Sequence, residues 1–304
     1  MPTGWPGKRY LMPVSPDLFR ALGALCEPPD PAHAGLAAAL GLPPPADAAA
    51  FTDVFVFQLV PYAAPYLSPD GMLGGEAADR VAGFWRALQL TPPRDPDHLA
   101  ALLGLYATLA ERENAEIRPD RAGTWREARR ALLWEHLLTW VPAYVHAMTA
   151  LSAGFHSAWA RLLRAALLAE ARVLVSPQCP PLHLRDVPEL PGAGPDLVRA
   201  LLAPARSGLL ITRNDLMSAA AAAGLGARAG GREFALRTLL DSGQPAVSGW
   251  LAGHAAWWAK QHRADVASLP RIAEHWLGRA QASAGVLQQL PSLPEPADHP
   301  RRDP

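Results

Sequence analysis

Isoleucine, lysine and cysteine are nearly missing from this chain of 304 residues. Isoleucine occurs only as Ile117, Ile211 and Ile272, while alanine, leucine and arginine abound. Strands favour β-branched side chains and helices favour unbranched ones, which lose little rotamer freedom there, so the shortage argues for an all-α fold. Lysine is confined to Lys8 and Lys260. Nearly all positive charge is therefore arginine, which biased codon usage explains without a ligand. Cys26 and Cys179 can form at most one bridge and belong to no CxxC pair, which excludes a disulfide framework and suits a reducing compartment. Excess charge is absent as well, with 28 basic against 28 acidic residues, so no global field points to nucleic acid or an anionic membrane. Nowhere do 18 apolar residues run together; the nearest case, residues 54–67, is broken by Gln58, Pro61 and Pro65, and no membrane span is expected. At the start, Lys8-Arg9 is followed by Pro13 and Pro16 in place of an apolar run, which fits neither a secretory nor a twin-arginine signal. A cytoplasmic protein is expected.

What the chain does have is helical periodicity. Leu99, Leu102, Leu103, Tyr106 and Leu109 follow a 3.6-residue repeat, as do Leu133, Leu137, Trp140, Tyr144 and Met148, and again Phe155, Trp159, Leu162, Leu163, Ala166 and Leu167. The pattern predicts helices at about 15–26, 32–41, 51–60, 75–90, 96–115, 124–150 and 155–174, then 196–203, 213–223, 231–241, 246–262 and 267–288. Prolines punctuate them: Pro43-Pro44-Pro45, Pro61 and Pro65, and Pro92-Pro93. Pro142 falls inside the longest segment and predicts a kink or break near Val141. Residues 176–195, with six prolines and two glycines, read as a linker or draped loop between a helical domain at 1–175 and a helical extension at 196–290, with a polar tail at 291–304.

Three segments carry possible chemistry. In Asp95-Pro96-Asp97-His98-Leu99, Asp95 suits an N-cap, Pro96 the first helical position and Asp97 the positive end of the helix dipole. His98, held neutral there, either pins the preceding loop or offers a donor and an acceptor to a ligand. In Leu133-Trp134-Glu135-His136-Leu137, His136 and Trp140 share a helical face, which suits a packed core histidine at least as well as a site; no second histidine follows at zinc spacing. Pro61-Tyr62-Ala63-Ala64-Pro65-Tyr66-Leu67 is expected to be a stiff extended segment with two aromatic rings, fit to line a peptide groove or to cover a core. Glycines at 224, 226 and 230 follow an alanine-rich helix in place of a strand, which rules out a dinucleotide fingerprint, and neither a Walker A nor a GxSxG sequence occurs. Thr212 or Asn214 as a cap, Gly224 as a stop and basic Arg228, Arg232 and Arg237 describe either a helix-turn-helix or an ordinary αα-hairpin.

The order of these segments over about residues 50–172 resembles the TorD/DmsD/NarJ family of redox-enzyme maturation chaperones. The resemblance runs from the Pro-Tyr-Ala-Ala-Pro-Tyr-Leu turn through Phe84-Trp85, Asp97-His98 and Trp134-Glu135-His136-Leu137 with Trp140, to the helix after Phe155. The family commonly has Glu-Pro before its Asp-His and an aromatic where His156 stands; here Asp95-Pro96 precedes Asp97-His98 directly. The resemblance implies a TorD-like helical bundle whose Asp-His segment lies near the site that receives the twin-arginine signal peptide of a molybdopterin-dependent oxidoreductase. Such a peptide presents two guanidinium groups and then an apolar stretch, so its receptor needs carboxylates beside an aromatic trough. The expected peptide-binding residues are Tyr62, Tyr66, Trp85, Asp97, His98, Glu135, His136 and Trp140. No catalytic residue, cofactor or metal is expected. The expected partners are the oxidoreductase's catalytic subunit and its signal peptide, met by a monomer or homodimer. The alternatives are a DNA-binding regulator using the last third and a hydrolase or transferase using His98.

Overall fold

The computed structural model describes residues 15–192, 194, 196–226, 230–243 and 245–290. The tail expected at 291–304 and Arg228 of the candidate helix-turn-helix lie outside the described residues. Among the described residues the chain is helical with no strand, and one isolated antiparallel bridge joins Tyr62 to His98. Both free cysteines are unbridged, Cys26 buried and Cys179 exposed.

The chain opens with α1 (Pro16–Ala24), whose cap Ser15 accepts the Asp17 amide, and α2 (Ala32–Ala39). Helix α3 (Ala48–Phe51) begins at Asp47, whose carboxylate accepts the Ala50 amide at 2.8 Å, and runs on as a π-helix over Thr52–Gln58. A single turn, α4 (Ala64–Leu67), where Pro65 suits the first helical positions and the expected extended course ends, precedes α5 (Gly75–Ala87) and α6 (Leu99–Ala115). Helix α7 (Pro119–Ala131) passes into a second π-helix, Leu132–Leu137, followed by α8 (Val141–Leu151) and α9 (Phe155–Val173). The rest comprises α10 (Leu182–Arg185), α11 (Leu197–Leu202), α12 (Pro204–Ser207), α13 (Arg213–Ala222), α14 (Arg232–Asp241), α15 (Pro245–Asp265) and α16 (Pro270–Gln288).

Two of the boundaries that differ from the sequence expectation have a clear cause, one tertiary and one local. Helix α6 starts at Leu99 with His98 as its cap, not at Pro96 with Asp95 as its cap. Residues 97–99 are instead drawn into extended pairing with the proline turn: Leu99 N–H donates to the Pro61 carbonyl at 2.8 Å and Ala63 N–H to the Asp97 carbonyl at 3.0 Å. The helix predicted at 124–150 begins earlier, because Pro119 suits the first turn where its missing N–H costs nothing. It breaks before α8, at whose start Pro142 sits for the same reason.

Leucine and alanine fill most of the core, and its largest fully enclosed side chains are aromatic. Trp140, Trp159, Trp258, Tyr106, Tyr144 and Phe19 are fully enclosed. The Trp159 indole N–H reaches the Leu22 carbonyl at 3.0 Å and the Tyr144 hydroxyl reaches the Leu59 carbonyl at 3.1 Å, so helices far apart in sequence share these bonds. Beside them Arg129 is buried between Glu113 at 2.8 Å and Glu170 at 2.5 Å, with the Tyr106 hydroxyl also donating to Glu170 at 2.5 Å. Each charge there is met by an opposite one, which makes its burial tolerable.

The later helices close over the α7–α9 face. Trp276 of α16 donates to the Thr139 carbonyl at 2.9 Å, His146 of α8 contacts Asp265 of α15 at 2.8 Å, and Arg164 of α9 pairs with the same carboxylate. Two histidines, His262 buried and His275 half-buried, bond to backbone carbonyls of α12 and the residue that ends it. His262 Nε2 lies 2.9 Å from the Gly208 carbonyl and His275 Nε2 lies 3.1 Å from the Ala205 carbonyl. A carbonyl only accepts, so both imidazoles carry their proton on Nε2. Gly208 holds a φ of 72° and lies so close to α16 that a Cβ there meets Ala280 N at 2.4 Å and the Trp276 carbonyl at 2.7 Å, which leaves room for glycine alone.

Candidate functional site

The bridge at residue 98 brings the first two predicted segments together. The Asp97 carboxylate turns back from α6 to accept the Ala64 amide at 3.0 Å and so fixes the first turn of α4. Only 4% of Asp97 is exposed, and burial raises its pKa against the backbone bonds that lower it. The His98 ring meets the Tyr62 ring edge-on, with centroids 4.7 Å apart. His98 Nδ1 accepts the Ala100 amide at 3.2 Å, which caps α6 and leaves the proton on Nε2. Burial lowers the His98 pKa, while nearby Glu27, Asp95 and Asp97 oppose the shift. The Tyr62 hydroxyl is shifted up by burial and then by Asp95 and Asp97. Tyr62 and His98 are half-buried and Glu27 and Asp95 exposed, so an aromatic-imidazole pair reaches the surface among carboxylates, with the Arg94 guanidinium opposing them at Tyr62.

The second histidine motif sits on the π-helix after α7. His136 Nδ1 lies 3.1 Å from His183 Nε2 in α10, and the Phe84 ring of α5 packs on the imidazole with centroids 5.0 Å apart. Burial lowers His136 to about 3, aided by His183, and lowers His183 to about 4, aided by Arg80. The pair is therefore neutral at ordinary pH and shares one N–H···N bond. Glu135 accepts the Leu182 amide at 2.6 Å, so the proline-rich segment is pinned to this motif. Trp85 is half-buried, and its enclosed indole N–H has no hydrogen-bond partner among the described residues.

Tyr66 and Trp140 link the two motifs from inside. Their rings stack, and the Trp140 indole N–H donates to the His136 carbonyl at 2.9 Å. With Trp140 wholly enclosed and Tyr66 only 5% exposed, both are walls behind the surface. Of the eight expected residues, Tyr62, Trp85, His98 and Glu135 reach solvent in part, and Tyr66, Asp97, His136 and Trp140 are buried supports. His183 was not singled out as a site residue, because nothing in the sequence marks a contact 47 residues away.

Among the described residues no cluster of three metal-ligating side chains occurs, and no helix is long and apolar enough to cross a membrane. A cavity of about 630 Å³ lies away from the predicted residues, between α13 and α14. Of the arginines proposed for nucleic acid, Arg232 is half-buried in the wall of this cavity and donates to the Ile211 carbonyl, and Arg237 pairs with Glu233, so the two form no exposed stripe for a phosphate backbone to follow.

Residues 26–146 match the family described as nitrate reductase delta subunit. Two relatives named chaperone protein TorD, from Vibrio vulnificus strains YJ016 and CMCP6, are each 32% identical over 142 residues, covering 42% of this chain and 64% of the relative. The chain thus spans less than two thirds of the length of these curated relatives. No solved structure matches at a significant level. All eight expected site residues lie within the matched segment, and α9 to α16 lie beyond it.

Proposed function

We propose, because residues 26–146 match the family described as nitrate reductase delta subunit and relatives named chaperone protein TorD are 32% identical over 142 residues, that this chain is an assembly chaperone for a molybdopterin-dependent oxidoreductase. It binds the client's twin-arginine signal peptide and its apo body, and holds them until the cofactor is inserted before export. It works in the cytoplasm, as a monomer or homodimer, and catalyses no reaction.

The observation that carries this reading is the Tyr62–His98 ring pair at the surface, with the carboxylates of Asp95 and Glu27 close enough to bias the imidazole. Guanidinium groups stack on aromatic rings and pair with carboxylates, so this patch suits two successive arginines. Asp97 contributes by fixing the turn that carries Tyr62, and the Tyr66–Trp140 stack with His136 holds that turn from behind. Glu135 and Trp85 extend the surface toward α10.

Titration of the full chain with the signal peptide of a molybdoenzyme encoded beside it tests the reading. Binding is expected to weaken with salt, and to fall about tenfold or more when the two peptide arginines become glutamine or when Asp95→Asn and Glu27→Gln are combined. Failure to bind either the peptide or the apo-enzyme sinks the proposal.

A further inference from the structure

The cavity between α13 and α14 has apolar walls from Leu216, Met217, Ala220, Leu225 and Leu239. A second cavity of about 190 Å³ adjoins it, between the π-helix of residues 52–58 and Ile211, and Arg213 and Arg232 line both. The arginine pair therefore stands at the junction of a mainly apolar hollow and a smaller mixed one, where Val56, Phe57 and Ile211 lie beside Gln58 and Thr212. Arg213 donates to the Gly230 carbonyl at 3.3 Å and lies over the Phe57 ring, and Arg232 donates to the Ile211 carbonyl at 3.1 Å. Neither has a carboxylate within ion-pair distance among the described residues, although neighbouring Arg199 and Arg237 both engage Glu233. Among the described residues each guanidinium makes one hydrogen bond out of five possible N–H donors, and Arg232 feels the charge of Arg213. The wall does hold Asp241, nine residues along α14 from Arg232 and hence about 14 Å away by helical rise. Around the hollows Val56, Phe57, Met217 and Phe234 are each more than half exposed. An apolar surface that continues past its pocket marks a docking site for a partner chain more than for a small ligand.

We infer that this groove binds a segment of a partner protein in which one carboxylate is flanked on both sides by apolar side chains, the carboxylate lying between Arg213 and Arg232. The identity of that partner as the client's body rests on the chaperone reading. A leader with two guanidinium groups is repelled here, so the groove and the Tyr62–His98 surface receive different parts of one client.

The probe is a short N-acetylated, C-amidated peptide with leucines on both sides of a central glutamate, compared with its glutamine and lysine counterparts by fluorescence anisotropy on the full chain. The glutamate peptide is expected to bind at least about tenfold tighter than the glutamine one, consistent with charge-assisted hydrogen bonds, and the lysine peptide to bind least. Arg213→Gln, at an exposed position, is expected to remove the preference for glutamate, as is Arg232→Gln if its melting curve is intact. Met217→Asp is expected to weaken all three peptides. Equal binding of glutamate and glutamine peptides, or no saturable binding, overturns the inference; saturation by dodecanoate alone also overturns it, in favour of a small amphiphile. A twin-arginine leader titrated in parallel separates this result from the chaperone reading. Its binding is expected to be unchanged in Arg213→Gln, and its failure on the wild type counts against the chaperone reading while leaving the groove result standing.

Discussion

Tyr66 lies flat against Trp140, with ring centroids 5.2 Å apart and planes 7° from parallel, and so joins the proline turn to the second histidine motif across the core. Tyr66 also donates its hydroxyl to the Val60 carbonyl at 2.8 Å, and Trp140 its indole N–H to the His136 carbonyl at 2.9 Å. Trp140→Ala is therefore expected to cost about 3–5 kcal/mol in urea unfolding and to weaken signal-peptide binding beyond that loss. Trp140→Phe keeps an aromatic face and loses the N–H, for about 1–2 kcal/mol. Equal stability of the two variants counts against the stack.

Asp97 acts through a hydrogen bond and not through its charge. Its carboxylate accepts the Ala64 amide, and its pKa is raised by burial, the signature of a group whose ionised form gains little from its surroundings. Asp97→Asn, which can accept the same bond, is expected to melt close to the wild type. Asp97→Ala is expected to lose about 1–3 kcal/mol and to speed exchange of the Ala64 amide. If Asn behaves like Ala, the charge is what matters.

Acid should unfold the chain through its buried histidines. Burial lowers His136 to about 3 and His183, His262 and His275 to about 4, from an ordinary 6.5. Between those values the unfolded chain binds protons that the native chain refuses, so stability rises with pH across this window and falls as pH drops from about 6.5 toward 4. Asp265 acts in the same direction. Its burial alone raises it, but His146 and Arg164 outweigh that and leave its pKa lowered, a contribution lost as the carboxylate protonates. The melting temperature is expected to be flat above neutrality and to fall steeply below pH 6.5. His262→Gln should reduce the protons taken up on unfolding by about one. An unchanged slope in that variant refutes the assignment.

Gly208→Ala combines a left-handed backbone with a contact no side chain can relieve, since the obstructing atoms are the backbone of α16. A loss of about 2–4 kcal/mol is expected, well above the usual gain or loss for a glycine change in open space. Gly278→Ala, on α16 where a Cβ meets nothing within 4 Å, is the control and should be neutral or stabilising.

Periodicity made the helices legible because α-helical burial is local in sequence. Phe155, Trp159, Leu163, Ala166 and Leu167 are all buried on α9, and the Pro142 break came from the chemistry of one residue. The start of α6 was not legible, because Asp95-Pro96 is a good helix opening that loses to long-range pairing between 61–63 and 97–99. The same limit applies to the site. Tyr62 beside His98 could be suspected from two motifs, whereas His183 against His136 and Arg232 beside Tyr66 are made by folding alone. Tyr66 and Trp140 were read as a possible ligand wall; aromatic residues at helical spacing satisfy a core equally well, and here they meet each other.

The bond from Trp276 to the Thr139 carbonyl has a consequence for how such a chain can be cut or recombined. Thr139 is completely buried, at the break between the second π-helix and α8, and its carbonyl is met from α16. Ending the protein after α9 strips that partner, uncovers the α8 surface that Trp257 and Trp258 face, and leaves Arg164 without its carboxylate. A graft of the chaperone-like half onto another helper protein must therefore carry α15 and α16 with it, or supply new side chains at the same places.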